Sequence, residues 1–323
     1  MAHQQGANVK LVIDTETTYK TNPVSVDGMV LPFVSESLRL DRNLVSSKTI
    51  RSSRNPQAPV RGQMNVAGDI NFELSPQYGR LLKHIFGSYA VAGGLAPYTH
   101  TYKIGTLPVG LFIEKQFTDL GTPEYFWYNG CKINSFKLAA KAEGMIDCSV
   151  GIMGAKETVG VAAYDATLTD LGHTPFDGFE AAITEGGSAI AIVTEMDFTL
   201  ENNLDGSVFV IDGTGQRASL PEGTAKVSGT IKALFDSVTL YNKAVNHTES
   251  SLAIAFTKGA GTGASAGNEK LTFSLDELIY KPNAPVVTGP TGVMVELPFE
   301  AYYNDDADAS ALRAVLLSPL ATF

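Results

Sequence analysis

A mainly β protein, built as two tandem domains with one short helix each, is what this sequence predicts. Two observations carry the prediction. The first is an internal repeat. Residues 62–87 read GQMNVAGDINFELSPQYGRLLKHIFG and residues 223–247 read GTAKVSGTIKALFDSVTLYNKAVNH. Val66-Ala67-Gly68-Asp69-Ile70 overlies Val227-Ser228-Gly229-Thr230-Ile231. Upstream, Leu38, Leu40, Asp41, Asn43 and Leu44 match Phe198, Leu200, Glu201, Asn203 and Leu204, and Val34-Ser35-Glu36 matches Val193-Thr194-Glu195. Three blocks in one order, at nearly constant register, define a unit of strand, long loop, strand and helix that is used twice; two copies do not make a solenoid. The second observation is the period. Met64, Val66, Gly68, Ile70, Phe72 and Leu74 alternate with Gln63, Asn65, Asp69, Asn71 and Glu73, the pattern of a half-buried strand.

The elements follow in order. Residues 8–14 and 33–40 read as strands, and 41–61 as a long connection rich in Ser, Arg and Pro, made basic by Arg42, Lys48, Arg51, Arg54 and Arg61. Loops of this length inside a compact domain are usually functional or disordered. After the alternating strand, Ser75 is placed as an N-cap with Pro76 at N1, and Leu81, Leu82, Ile85 and Phe86 share one helical face. Strands are expected at 98–103, 109–117, 125–128, 132–140 and 145–153, with Asn129-Gly130 as a hairpin turn. Periodicity fails over 155–175, and the division adopted is 1–158, a linker at 159–175, and 176–323. In the second copy, strands are expected at 189–199, 208–211, 223–235, 252–256, 271–275, 277–280 and 293–302. The Gly-rich stretch 259–267 reads as a hairpin tip, and 309–317 as a short terminal helix.

Bulk properties narrow the function. A chain of 323 residues is the length of two ordinary domains. No apolar run approaches the ~18 residues of a membrane span, and MAHQQGANVK lacks the apolar core of a secretory signal. Cys131 and Cys148 stand alone, as expected of small core residues in a reducing compartment. The net charge of −10 is unevenly divided: residues 1–158 hold 16 Lys/Arg against 13 Asp/Glu, and the rest hold 8 against 21. Two copies built alike and charged oppositely point to one half facing the other in an assembly.

Motifs for chemistry are missing. Residues 151–158 (GIMGAKET) do not meet GxxxxGK[ST], no GxSxG occurs, and His3, His84, His100, His173 and His247 show no metal-ligand spacing. Asn304-Asp305-Asp306-Ala307-Asp308 lacks the Gly and distal Glu of an EF-hand loop. No catalytic residue, cofactor site or metal site is assigned. The basic loop has no interleaved aromatics, so a salt-sensitive protein contact is favoured over a nucleic-acid site.

The stretch LPFVSESLRLDRNLVSSKTIRSSRNPQAPVRGQMNVAGDINFELSPQYGRLLKHIFGS resembles the N-terminal part of tail tube proteins of long-tailed bacteriophages. The strand at 33–40, the basic loop with Arg54-Asn55-Pro56, the Val66–Ile70 motif and the helix at 78–86 carry the likeness. The resemblance implies a non-enzymatic virion protein made in the host cytoplasm, with a small β-sandwich whose strands join neighbours into a barrel around a DNA channel. Rings stack through long loops and terminal arms. Most such proteins are single-domain and hexameric; a two-domain chain implies a trimer of pseudo-sixfold symmetry, with a hexamer as the alternative. Implied partners are the chain itself, the tape measure, terminator and distal tail proteins, and double-stranded DNA in transit without sequence-specific binding. Asn65, Asp69, Asn71 and Glu73 are the expected lumen-facing residues; Arg42, Lys48, Arg51, Arg54 and Arg61 are the expected contacts between subunits or rings. A tail terminator or hub of related fold is the runner-up. A tandem β-domain adhesin is disfavoured because Trp127 is the single Trp.

Overall fold

A computed structural model of the chain describes residues 3–190, 192–287, 289, 292–304 and 310–323. The first half contributes β1 (Lys10–Glu16), β2 (Met29–Val30), β3 (Ser35–Glu36), β4 (Arg39–Val45), β5 (Val60–Glu73), β6 (Gly87–Ala92), β7 (Tyr98–Ile104), β8 (Gly110–Phe117), β9 (Glu124–Lys141), β10 (Asp147–Gly154) and β11 (Lys156–Gly160). Helix α1 (Gly79–Phe86) lies between β5 and β6. The second half contributes β12 (Ala181–Glu185), β13 (Ser188–Ala189), β14 (Val193–Glu201), β15 (Lys226–Leu234), β16 (Ser250–Thr257), β17 (Lys270–Tyr280), β18 (Met294–Ala301) and β19 (Arg313–Ser318), with α2 (Thr239–Val245) after β15. The fold is mainly β, as the alternation predicts.

Strand pairing places both halves in one hydrogen-bonded network. One sheet runs β4–β5–β10–β9–β14–β15–β18–β17, all antiparallel, with β3 continuing the line of β4. The halves join at β9–β14, where Lys141 pairs with Glu195 and Ser135 with Glu201. A second sheet runs β6–β7–β19–β17–β16–β12–β13. A third, smaller one runs β2–β1–β8–β9–β11. The large sheets pack face to face, the sandwich solution to burying one apolar face of each. Phe273 of β17 sits between Phe136 of β9 and Phe198 of β14, at ring separations of 6.1 and 5.5 Å, and also stacks on Phe86 of α1. The core is therefore shared by the halves.

The repeated blocks occupy equivalent pairings. Leu40 pairs with Val66 in the first half and Leu200 with Val227 in the second. The central glycine of each motif admits its partner strand very closely. A Cβ on Gly68 would lie 2.4 Å from the Leu38 Cα, and one on Gly229 would lie 2.2 Å from the Asp197 carbonyl oxygen. Backbone is met in both cases, so the strands must part. Gly68→Ala and Gly229→Ala are each expected to cost about 2–3 kcal/mol, as overpacking does, seen as a fall in melting temperature; Ala67→Ser, half-buried on the opposite face of β5, should change little.

Several expectations are corrected. Asn129-Gly130 is no hairpin turn. β9 runs through it, and the register slips by one residue between the pairs Leu111–Cys131 and Ile113–Tyr128, a bulge that Gly130 permits at φ +62°. The terminal helix expected at 309–317 is instead strand β19, whose Ala314 and Leu316 are buried between β7 and β17; Ala309 itself lies outside the described residues, as do Asp305, Asp306, Ala307 and Asp308. The stretch 208–211 forms only the bridge Phe209–Arg217. Within the aperiodic 155–175, Lys156–Gly160 is a strand, and Asp165 accepts from the Gly28 N–H at 2.9 Å. β6 was not expected.

Two buried titratable groups oppose each other. His84 on α1 lies 2.9 Å from Thr15 Oγ1, and burial pushes its imidazole down to about 3. Glu16 accepts from Gly130 N, Asn129 Nδ2 and Lys20 N, yet burial pushes its carboxyl up to about 7. The His84 contribution is full above pH 6.5 and lost as pH falls toward 3. The Glu16 contribution is full below pH 4.5 and lost as pH rises through 7. Between pH 4.5 and 6.5 the two slopes cancel. His84→Gln removes one of them, so the wild-type advantage over this variant should grow by roughly 3 kcal/mol across that window, read from urea midpoints at stepped pH.

Candidate functional site

From β5 across to β18, the strands of the joined sheet alternate an apolar side against the core with a polar side. On β5, Val66, Ile70 and Phe72 are buried, whereas Asn65, Asp69 and Asn71 are exposed and Glu73 half-buried, all four on one face. The register extends that face across both halves. Ser135, Lys137 and Ala139 of β9 continue it, followed by Glu195, Asp197 and Thr199 of β14 and Ser228, Thr230 and Lys232 of β15. Glu296, Pro298 and Glu300 of β18 complete it.

The face carries no large aromatic side chain, and acid outweighs base. Asp41, Asp69, Glu73 and Asp147 lie on first-half strands, and Glu195, Asp197, Glu201, Glu296 and Glu300 on second-half strands. The cations among them are Arg39, Lys137, Lys141, Lys226 and Lys232, joined by Lys281 just past β17, whose Nζ lies 2.6 Å from Glu300. The lysines sit beside carboxylates. Lys232 Nζ is 3.8 Å from Glu195, Lys226 Nζ is 4.0 Å from Glu300, and Lys141 pairs across the ladder with Glu195. Burial raises the Asp197 carboxyl, with Lys137 opposing the shift and Glu296 and Glu195 adding to it. Glu73 stands directly opposite Asp147, a destabilising like-charge pair, with His173 Nε2 3.5 Å from Glu73. A groove of about 460 Å³ runs over the face between Arg39, Asp41, Asn65, Asp69 and Ser135.

The basic segment is an arm. β4 and β5 stay paired out to Val45–Val60, beyond the strand end expected at residue 40, and residues 46–59 are all exposed. The arm bears exposed apolar side chains as well as charge: Leu44, Val45, Val60 and Ile50, the last 99 % exposed. Of the five cations singled out in the sequence, Arg42 turns inward, its Nε donating to Gly62 O at 2.9 Å and Nη2 to Thr214 O at 3.5 Å. Arg51 donates to Asn55 O at 2.9 Å inside the tip. Lys48, Arg54 and Arg61 are exposed, and among the described residues none of the five forms an ion pair.

The counterpart segment, 202–222, behaves differently. It folds down onto the first half. Asn202 Nδ2 donates to Ile85 O and Ile133 O at 3.1 and 2.9 Å. β10 leaves β5 after the pair Val66–Gly154, and the Met64 N–H donates to Gly215 O at 2.7 Å in its place. Arg217, 4 % exposed, locks this join: Nε donates to Gly206 O at 2.8 Å, Nη1 to Val66 O and Gly154 O at 3.0 and 2.6 Å, and Nη2 to Asn65 Oδ1. In the sequence Arg217 is simply the one cation of the acidic stretch 201–222. Its acceptors come from two distant strands, so no local signal marks it.

The free edge of β3 and β4 is capped. Lys115 Nζ, on β8, donates to Leu38 O and lies 2.6 Å from Glu36, and Glu157 Oε2 accepts from the Leu40 N–H at 3.2 Å. Charged side chains on an edge suppress unwanted strand pairing.

Cys131 and Cys148 are free and buried, and burial raises both thiols well above their ordinary range. Among the described residues, no group of three His, Cys, Asp or Glu is placed to hold a metal ion, and no helix is long and apolar enough to cross a membrane.

No curated protein matches the chain. A family model described as phage tail tube protein matches residues 6–301, most of the chain. With its β-sandwich, polar sheet face and exposed arm, the chain belongs to the phage tail tube protein family, whose members are structural components of the phage tail.

Proposed function

We propose that the chain is a duplicated tube subunit of a long-tailed phage, with two tandem tube domains meeting at β9–β14. Three copies close a ring of pseudo-sixfold symmetry, and stacked rings form the hollow tube through which genomic DNA passes to the host. The observation that carries this reading is the eight-strand sheet whose one face is polar and net acidic across both halves. A channel that passes DNA must not hold phosphate, because each phosphate neutralised by a cation adds salt-dependent affinity. Lysines already paired with carboxylates suit such a lumen, and Asn65, Asp69, Asn71 and Glu73 line it.

Ring closure repeats between chains the edge-to-edge join made inside each chain. The β17–β18 end of one copy meets the β4 end of the next, and the caps on Leu38 and Leu40 give way to it. Such closure leaves no sheet edge exposed. The chain's partners are then further copies of itself, DNA in transit without sequence recognition, and the tape measure, terminator and distal tail proteins.

The placement is tested by labelling. Asn71→Cys in assembled tubes should react with a small maleimide and be shielded from a bulky polyethylene-glycol maleimide, whereas both react in dispersed subunits. Equal reaction with the bulky reagent in tubes places the face outside and sinks the reading.

A further inference from the structure

The arm needs a seat, and the opposite end of the same sheet offers one. β5 runs from the arm root at Val60 to Glu73, a rise of roughly 40 Å at the usual strand spacing. Glu73 pairs with Asp147, and Asp147 with Ala139, so the Lys141 end of β9 lies at the far end from the arm. There, an open groove of about 500 Å³ lies between the end of β9 and the β12–β14 region. Small and aliphatic side chains line it: Ala140, Ala182, Ile183, Ala189, Ile190 and Val193. Phe179, 84 % exposed, also borders it.

Its surroundings are acidic. Glu195 lies in the groove wall beside Lys141. Glu143 is next to the lining residue Ala142 in the β9–β10 turn, whose Gly144 O accepts from Gly178 N at 3.0 Å, and Asp177 precedes Gly178. The carboxylate pair Glu73–Asp147 stands at the same end, with His173 beside Glu73. The arm has the complementary chemistry, with exposed Ile50 flanked by Lys48, Arg51 and Arg54.

Numbers match as well. The groove is built by both halves and so exists once per chain. The segment equivalent to the arm, 202–222, is folded down and held by Arg217, so each chain also presents one arm. We infer that the arm of one copy inserts its Ile50 tip into the groove between β9 and β12–β14 of a second copy in the adjoining ring, with Arg51 and Arg54 against the carboxylates at its mouth. This inference rests on the ring-stacking reading above. It implies three arms and three seats per ring, where six separate single-domain subunits would bring one arm each.

A cysteine pair tests it. Ile50 and Ala182 are both exposed. In tubes of the Ile50→Cys/Ala182→Cys chain, a short bismaleimide should produce a ladder of covalent multimers in a denaturing gel, and each single variant should stay monomeric. Tubes without a ladder overturn the inference and leave the tube reading standing. Failure of the unmodified chain to form tubes, both alone and seeded with phage tail tips, removes the tube reading itself. Should the double variant not assemble, Ala182→Trp serves: a filled groove should leave rings and abolish their stacking, and tubes of ordinary length would overturn the inference.

Discussion

Arg51→Glu combined with Arg54→Glu is expected to yield a folded protein that closes rings and no longer lengthens into tubes. Neither side chain supports the fold: Arg54 is exposed without an ion pair, and Arg51 holds only Asn55 O within the tip. Exposed substitutions of this kind usually change stability by about 0.5 kcal/mol or less. At an interface the effect is far larger, because two attractive contacts become two repulsive ones, and like-charge juxtaposition costs several kcal/mol. The double variant should therefore melt like the wild type and sediment as rings. Raising salt should weaken wild-type stacking in the same direction, since exposed charges are screened. Tubes of undiminished length from the double variant would contradict the role given to the arm.

Arg217→Met is expected to be among the most damaging single substitutions for stability. It leaves the carbonyls of Val66, Gly154 and Gly206 without their shared donor. At ~1–3 kcal/mol for each buried polar group left unmade, with partial recovery by water, the loss should be about 3–5 kcal/mol. Arg217→Lys should rescue little, because a point ammonium cannot reach three carbonyls as the planar fork does. Segment 202–222 should loosen first, which limited chymotrypsin digestion at Phe209 would report before any global unfolding. A variant with wild-type melting and no new cleavage would show that the segment is held by other contacts.

Much of this fold was legible in the sequence because the signals were local. Alternation along residues 63–74 fixed which side of β5 meets the core, and Ser75 does cap the following turn by accepting from Gln77 N. The repeat aligned Gly68 with Gly229, and both turn out to sit where the partner backbone passes closest. The errors arose where one local pattern serves two structures. Asn-Gly supplies a positive φ, which a hairpin turn and a bulge use equally, and the long partner strands β8 and β10 decide for the bulge. Leu312, Val315 and Leu316 fit one helical face, while Ala314, Leu316 and Ser318 fit one strand face; the slot between β7 and β17 selects the strand. The basic arm could be read as chemistry, but its seat could not. That groove joins residues 140–142 to residues 178–196, which the β9–β14 join and the Gly178 N–Gly144 O bond bring together.

The central claim is that one duplicated chain builds a hollow tube by threes. Electron microscopy of the purified protein at high concentration, alone and seeded with phage tail tips, tests it most directly. The account predicts hollow tubes whose end-on averages show threefold symmetry with six similar lobes around an open channel. Dispersed monomers in both conditions, or solid filaments without a channel, would contradict it.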